Sequence, residues 1–194
     1  MYRKDRQNEF YTTLAKKEGY PARSIYKLKE IDEKYKIIKK GDRVLDLGSS
    51  PGSWLLYISQ KVGDKGKVTG VDIEEIKIPQ KANIAFIKKG VFDLKESDLR
   101  DKVEVVVSDL SPKTSGIKFL DSGKSLELAE KSFEIAKSVL LPGGNFVCKI
   151  FESEENEGFF KKVKKCFDFA KRFRPRAVIK KSREFYIIGR GFRG

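Results

Sequence analysis

Lys149 interrupts an otherwise apolar run, Phe146-Val-Cys-Lys149-Ile-Phe151. A lysine inside a buried strand needs a partner or a function, because an unpaired buried ammonium is costly. Three more charged residues stand in similar company. Asp109 follows Val103-Glu-Val-Val-Val-Ser108, Lys27 lies beside the stripe Ile25, Leu28 and Ile31, and Glu184 opens Phe185-Tyr-Ile-Ile188. The chain has no histidine. That removes Ser-His-Asp chemistry, His-ligated metals and any imidazole base, leaving Lys, Asp, Glu or Tyr to move a proton. A lysine is charged near neutral pH, but burial and a second ammonium both favour its neutral form. Each of the four also has a plainer reading. Lys149 suits a strand-end lysine reaching solvent, and Lys27 or Glu184 alone suits a solvated surface.

A second chemical signal is Arg43-Val-Leu-Asp46-Leu-Gly48-Ser-Ser-Pro51-Gly52-Ser-Trp54. It reads as a buried strand, a tight glycine turn and a helix start, with Pro51 suited to the first helical position and Ser49 or Ser50 to the cap. Such turns at the carboxyl ends of strands mark the crevice where open α/β sheets bind nucleotides. The next strand, Lys67-Val-Thr-Gly-Val71-Asp72, ends in a carboxylate placed to meet ribose hydroxyls. A dinucleotide fits poorly: the turn lacks G-x-G-x-x-G, and Asp46 would repel a pyrophosphate. S-adenosylmethionine carries an ammonium and no phosphate, so it suits an acid at that place. A plain strand-to-helix turn remains open on this segment alone.

The elements that must position these residues follow from periodicity. Helices are expected near 5–17, 22–34, 52–62, 124–140 and 156–170, and strands near 43–48, 67–72, 84–88, 103–109 and 144–151. Pro142-Gly143-Gly144 reads as a sharp helix-to-strand turn, and the runs 176–180 and 184–189 as an edge hairpin. Strands alternating with helices imply a Rossmann-like α/β fold, a seven-stranded, mostly parallel sheet with helices on both faces. With no repeat, low-complexity tract or linker, we expect one domain over 1–194, with 1–40 a basic helical extension carrying Lys27.

Charge narrows the partner. Residues 1–40 hold 12 Lys/Arg against 6 Asp/Glu, residues 161–194 hold 13 against 2, and 41–160 hold 17 against 20. Two basic ends around a slightly acidic centre are the footprint of a polyanion, and we expect nucleic acid to lie across a surface built from both. Arg3, Lys4, Arg6, Lys16, Lys17, Arg23, Arg172, Arg174 and Arg176 are the candidates. A Lys-rich solvated surface is the alternative. No apolar stretch is long enough to span a membrane, and Met1-Tyr-Arg-Lys-Asp is no signal peptide. Cys148 and Cys166 lack metal-ligand spacing and point to a reducing interior, with free thiols used for packing. We therefore expect a cytoplasmic protein, with no metal and no membrane partner.

Five stretches carry a family resemblance: Gly19-Tyr-Pro-Ala-Arg-Ser-Ile-Tyr-Lys-Leu, Asp46-Leu-Gly-Ser-Ser-Pro-Gly-Ser-Trp, Ser108-Asp-Leu-Ser-Pro, Leu141-Pro-Gly-Gly-Asn-Phe-Val-Cys-Lys-Ile-Phe, and Ser182-Arg-Glu-Phe-Tyr-Ile-Ile-Gly. As a set covering nearly the whole chain, they resemble the FtsJ/RrmJ-like ribose 2′-O-methyltransferases, whose site is a Lys-Asp-Lys-Glu tetrad. The resemblance implies that Lys27, Asp109, Lys149 and Glu184 are catalytic, with Lys149 the proton acceptor. It implies that Gly52, Trp54, Asp72, Asp93 and Asp109 contact S-adenosyl-L-methionine, with Asp46 and Gly48 lining the same pocket. Asp93 also reads as a plain turn acid before Leu94. Two departures stand out: Asp109-Leu-Ser-Pro-Lys113 where the family often has Asp-x-Ala-Pro-Asn, and Pro51-Gly-Ser-Trp54 where it has Pro-Gly-Gly-Trp. The ending from Ser182 resembles the ribosomal branch, implying a uridine of large-subunit (23S-type) ribosomal RNA, free or in a ribosomal particle. Methylation of a tRNA anticodon loop or an mRNA cap stays open, as does a non-catalytic RNA-binding assembly factor. The missing G-x-G-x-x-G disfavours an NAD-dependent oxidoreductase.

Overall fold

Near-continuous valine and leucine runs make strands that are buried on both faces, the signature of parallel strands covered by helices. In the computed structural model, which describes residues 3–99, 101–179 and 181–194 (with the side chains of 3–5 left out), these runs become the centre of a seven-stranded sheet. The strands are β1 (Arg43–Leu47), β2 (Lys67–Asp72), β3 (Ile84–Lys88), β4 (Val103–Ser108), β5 (Leu140–Phe151), β6 (Phe167–Phe173) and β7 (Glu184–Phe192). Their order is β3-β2-β1-β4-β5-β7-β6; β1 to β5 run parallel, and β7 is antiparallel to both β5 and β6. The order reverses between β1 and β4, and beyond the carboxyl ends of those strands lies the crevice such sheets use for ligands.

Helices cover both faces. Helices α1 (Arg3–Lys17), α2 (Ile25–Tyr35) and α3 (Ser53–Val62) close one core around Ile25, Leu28, Ile31, Leu55, Ile58 and Val107. Helices α4 (Lys118–Val139) and α5 (Asn156–Cys166) close the other around Phe133, Phe146, Phe159 and Phe167. The stripe of α2 is the expected one: Ile25, Leu28 and Ile31 are each 0% exposed.

Four local expectations fail. The helix expected over 156–170 stops at Cys166, and Phe167 begins β6, pairing with Phe192. Phe167 stacks against Phe146, and the antiparallel ladder to β7 satisfies backbone that a longer helix would have satisfied internally. The edge hairpin is therefore β6–β7, and residues 176–179 form no strand (residue 180 lies outside the described residues). Pro175 opens a turn closed by the Val178 amide on its carbonyl, and Ala177 and Val178 are buried without joining the sheet. Pro142-Gly143-Gly144 is no helix-to-strand turn, because β5 already pairs at Leu140↔Val103 and bulges before resuming at Asn145↔Val105. Finally, Pro51 does not start α3: the Ser50–Pro51 peptide is cis, Gly52 occupies the N-cap position, and no side chain caps that end.

Candidate active site

The parallel register delivers the candidate residues to one rim. Leu47 pairs with Ser108 and Ser108 with Cys148, so Asp109 and Lys149 leave adjacent strands at the same level. The Asp109 amide extends the ladder by donating to Leu47 O at 3.0 Å. Lys149 Nζ donates to the backbone carbonyl of Asp109 at 2.7 Å and lies 3.3 Å from Oδ1 of its carboxylate. On β7, Tyr186 sits directly across from Lys149 and Glu184 across from Phe151. Successive side chains alternate faces, so Glu184 and Tyr186 point the same way. Tyr186 donates its hydroxyl to Asp109 Oδ1 at 2.7 Å, and Glu184 pairs with Lys27 of α2 at 2.5 Å.

All four charged residues are thus brought together, and the cluster includes a fifth residue that sequence reasoning missed. Within the run Phe185-Tyr-Ile-Ile188 a tyrosine reads as core, and Tyr186 is 0% exposed. The signal that finds it is period two: it shares the face of Glu184 and faces Lys149 across the ladder. Burial alone would raise the Asp109 acid; the Lys149 and Lys27 ammoniums and the Tyr186 hydrogen bond outweigh it and hold the carboxyl below its usual range. The same burial, with Asp109 and Glu184 nearby, keeps the Tyr186 phenol protonated far above its ordinary value. The Lys27–Glu184 pair is also largely desolvated, its side chains 9% and 13% exposed, so losing one partner would strand a buried charge.

The turn after β1 adjoins this cluster. Gly48 has φ 81° and Gly52 φ 111°; an added Cβ would come within 2.9 Å of Leu110 N at the first and 2.7 Å of Ile78 Cγ2 at the second. Both positions therefore need glycine. Asp72 at the end of β2 accepts the amides of Ser50 (2.8 Å) and Glu74 (2.9 Å), one on each oxygen, tying the turn to β2. Trp54 is buried, donates its indole N–H to Ser24 O at 3.0 Å, and packs 6.1 Å from the Tyr186 ring. The helix carrying Lys27, the turn and β7 meet there. Asp93 is the outlier: it is exposed in the turn after β3, with its amide on Gly90 O, and among the described residues no hydrogen bond or ion pair joins it to the other candidates.

Asp46 decides what fits. It is 0% exposed, and neither carboxylate oxygen has a hydrogen-bond partner among the described residues. Burial, and then the negative charges of Asp109 and Asp72, push its acid well above the ordinary range. Three carboxylates around a glycine turn, one of them orphaned, call for a positively charged ligand. The ammonium and sulfonium of S-adenosylmethionine meet that need, and a pyrophosphate does not. Cys148 next to Lys149 is packing: burial pushes its thiol up to about 12, leaving no thiolate near neutral pH.

The basic candidates divide between the two faces. Gln7 Nε2 donates to Arg176 O, Arg23 to Ala177 O, and Arg176 pairs with Glu30, which stitches α1 and α2 to the segment after β6. Arg6, Lys16 and Lys17 are exposed on α1. Arg172 points to the opposite face, pairing with Glu157 and lying over the Phe160 ring, and Arg174 is held by the carbonyls of Ile179 and Ser182. The side chains of Arg3 and Lys4 lie outside the described residues.

A doubly wound sheet with an acid and a glycine turn after β1, a second acid ending β2, and a Lys/Asp/Tyr cluster beyond β4 and β5 defines the class of Rossmann-like S-adenosylmethionine-dependent methyltransferases. Fibrillarin from Aeropyrum pernix, solved with natively bound S-adenosyl-L-methionine, shares this fold at TM-score 0.57 and 19% identity over 79% of this chain and 68% of its own. The model of the FtsJ-like methyltransferases matches residues 20–192, and the chain belongs to that family. Among its relatives, a protein of Desulfatibacillum aliphaticivorans named ribosomal RNA large subunit methyltransferase E is 46% identical over 93% of this chain and 89% of that protein. One of the same name from Desulfotalea psychrophila is 40% identical over 96% of each. A crystal structure from Plasmodium falciparum assigned to the ribosomal RNA methyltransferases superimposes at TM-score 0.79, with 28% identity over 90% of this chain and 100% of its own.

Proposed function

We propose that this protein methylates a ribose 2′-hydroxyl of large-subunit ribosomal RNA, at a uridine, using S-adenosyl-L-methionine. The observation that carries this reading is the contact of Lys149 with Asp109, braced by Tyr186 and flanked by the Lys27–Glu184 pair, beside the orphaned Asp46. The names of the relatives, which cover nearly the whole chain, support the choice of ribosomal RNA. Two thiols without a disulfide fit the cytoplasm, where that RNA is made and assembled.

S-adenosylmethionine supplies, when bound, a methyl group on a positively charged sulfur. Asp46, the turn amides and Asp72 would hold the cofactor's ammonium and ribose, with Gly48 and Gly52 keeping the backbone clear. Lys149 accepts the proton of the attacking 2′-hydroxyl, and the Asp109 carbonyl and carboxylate fix its direction. Lys27, set by Glu184, places a second positive charge beside the reacting oxygen. Much of the acceleration then comes from alignment within a rigid frame.

The test is ribose-methylation mapping by mass spectrometry of ribosomal RNA from cells lacking this gene, with the purified protein restoring the mark in vitro. A single 2′-O-methyl group absent from large-subunit RNA and restored by the protein is expected. Restoration on tRNA or capped RNA instead would transfer the chemistry to another substrate, and no methylation of any RNA would leave a binding factor.

A further inference from the structure

The loop leaving Asp109 ends in an exposed apolar group that no core uses: Ile117 is 57% exposed, Phe119 75% and Leu120 46%. Burial does not explain it, and flexibility is opposed by the contacts around it. The Asp121 carboxylate accepts the Ser115 amide at 2.7 Å and the Gly116 amide at 3.2 Å, locking the turn that leads into α4. Arg183, the residue before Glu184, donates to Lys118 O at 3.2 Å and Ser122 Oγ at 3.1 Å. Glu152, just past β5, donates its amide to Arg183 O at 2.9 Å. The first turn of α4 is therefore fastened to the strand ends that deliver Lys149 and Glu184. It holds an aromatic ring in water on the turn that the Arg183 side chain ties to the site.

Along this stretch the exposed charges are lysines, Lys113, Lys118 and Lys124, while its acid, Asp121, is turned inward into its cap; the exposed acid beside it is Glu152, just past β5. Rigid aromatic surface amid lysines is how proteins grip single-stranded nucleic acid: bases stack on the ring and ammoniums follow the phosphates. We infer that Phe119, flanked by Ile117 and Leu120, is a stacking platform for a base of the substrate RNA neighbouring the ribose presented to Lys149. The inference rests on the function proposed above and adds a residue that selects and positions the RNA.

The full chain carrying Phe119→Ala, Phe119→Leu or Phe119→Trp would be titrated with a single-stranded oligoribonucleotide containing 2-aminopurine, across a range of salt. Phe119→Ala should weaken binding roughly five- to hundredfold, Phe119→Trp should restore it, and Phe119→Leu should restore little of it. The salt slope and the dissociation constant for S-adenosylmethionine should match the parent, because a stacking ring carries no charge and does not line the cofactor turn. Melting temperatures should stay close to the parent's, since the ring is largely in water. Unchanged RNA affinity in Phe119→Ala, or parental affinity in Phe119→Leu, would overturn the inference. So would a parent that self-associates in sedimentation through a contact abolished by Phe119→Ala, since the patch would then bind a second copy. A parent inactive on every RNA, with the stacking effect intact, would defeat the proposed function and leave the platform standing.

Discussion

Lys149 touches Asp109 through two different atoms, 2.7 Å from the backbone carbonyl and 3.3 Å from the carboxylate. The carbonyl cannot titrate, so it holds the amine in place whichever charge state the lysine adopts during turnover.

Lys149→Ala should therefore remove methyl transfer while leaving cofactor affinity within a few-fold of the parent. Loss of a positioned base costs on the order of a hundred- to ten-thousandfold. Lys149→Arg should fail as well, because a guanidinium stays protonated. Single-turnover transfer measured beside equilibrium cofactor binding checks both, and near-parental turnover in either variant would remove Lys149 from the role.

Tyr186→Phe should raise the pH at which the Asp109 carboxylate of the folded protein takes up its proton, read from stability against pH. The phenol helps to hold the Asp109 acid below its usual range, so its loss lets that acid take up a proton at higher pH. Hydrogen bonds to charged groups are worth about 1.5–3 kcal/mol, enough to move that protonation measurably upward. Stability follows the same sign. A carboxylate with a lowered folded value contributes stability that is present above its unfolded value, near 4, and lost as pH falls through the folded one. The variant should lose part of that contribution at neutral pH, seen as a lower melting temperature that converges on the parent's in acid.

Cofactor binding should release a proton. The Asp46 acid is raised well above the ordinary range, so the free protein still carries that proton at pH values where a common carboxylate has lost it. An incoming ammonium favours the carboxylate, so affinity should climb with pH through that window and level off above it. Calorimetry in buffers of different ionisation enthalpy measures the proton directly, and Asp46→Asn should abolish the release. Equal enthalpies in all buffers would argue that Asp46 is already ionised or is not met by the ammonium.

Asp72→Ala should weaken S-adenosylmethionine by roughly ten- to a hundredfold, the value of a charge-assisted hydrogen bond. Since Asp72 also accepts the Ser50 and Glu74 amides, the melting temperature should fall too, whereas transfer from bound cofactor should change little. A cofactor dissociation constant equal to the parent's would confine Asp72 to bracing the turn.

Arg6→Ala combined with Arg176→Ala should flatten the salt dependence of RNA binding. The two stand on segments joined by Gln7, and the Arg176 side chain is 83% exposed. Each neutralised phosphate contact lowers the slope by about 0.7 for a single strand, so the pair should remove about 1.4. Parallel slopes would place the RNA path on the other face, where Arg172 lies.

The central sheet was legible because parallel strands buried on both faces leave long valine runs, and because a charge inside such a run, as at Lys149 and Asp109, has few harmless explanations. Tyr186 was not, since a buried phenol and a buried phenylalanine give the same apolar pattern until the facing strand is known. β6 was misread for a related reason. Phe159 and Val163 set a helical stripe that Phe167 prolongs by its spacing, and only pairing with β7 turns Phe167 into a strand residue. Pro51 followed a local rule for helix starts, and the geometry around Gly52 placed the start two residues further on, at Ser53. Asp72 reads as a ligand to ribose from its place at a strand end; its hold on the turn depends on the path of residues 50–74 in space.

Trp54 is the chain's single tryptophan. Its indole is hydrogen-bonded to the start of the helix that carries Lys27, and its ring lies against Tyr186. Tryptophan emission, excited to the red of the chain's seven tyrosines, therefore originates at one spot, where the glycine turn after β1 meets the Lys149–Asp109–Tyr186 cluster, and it reports on that junction without any label.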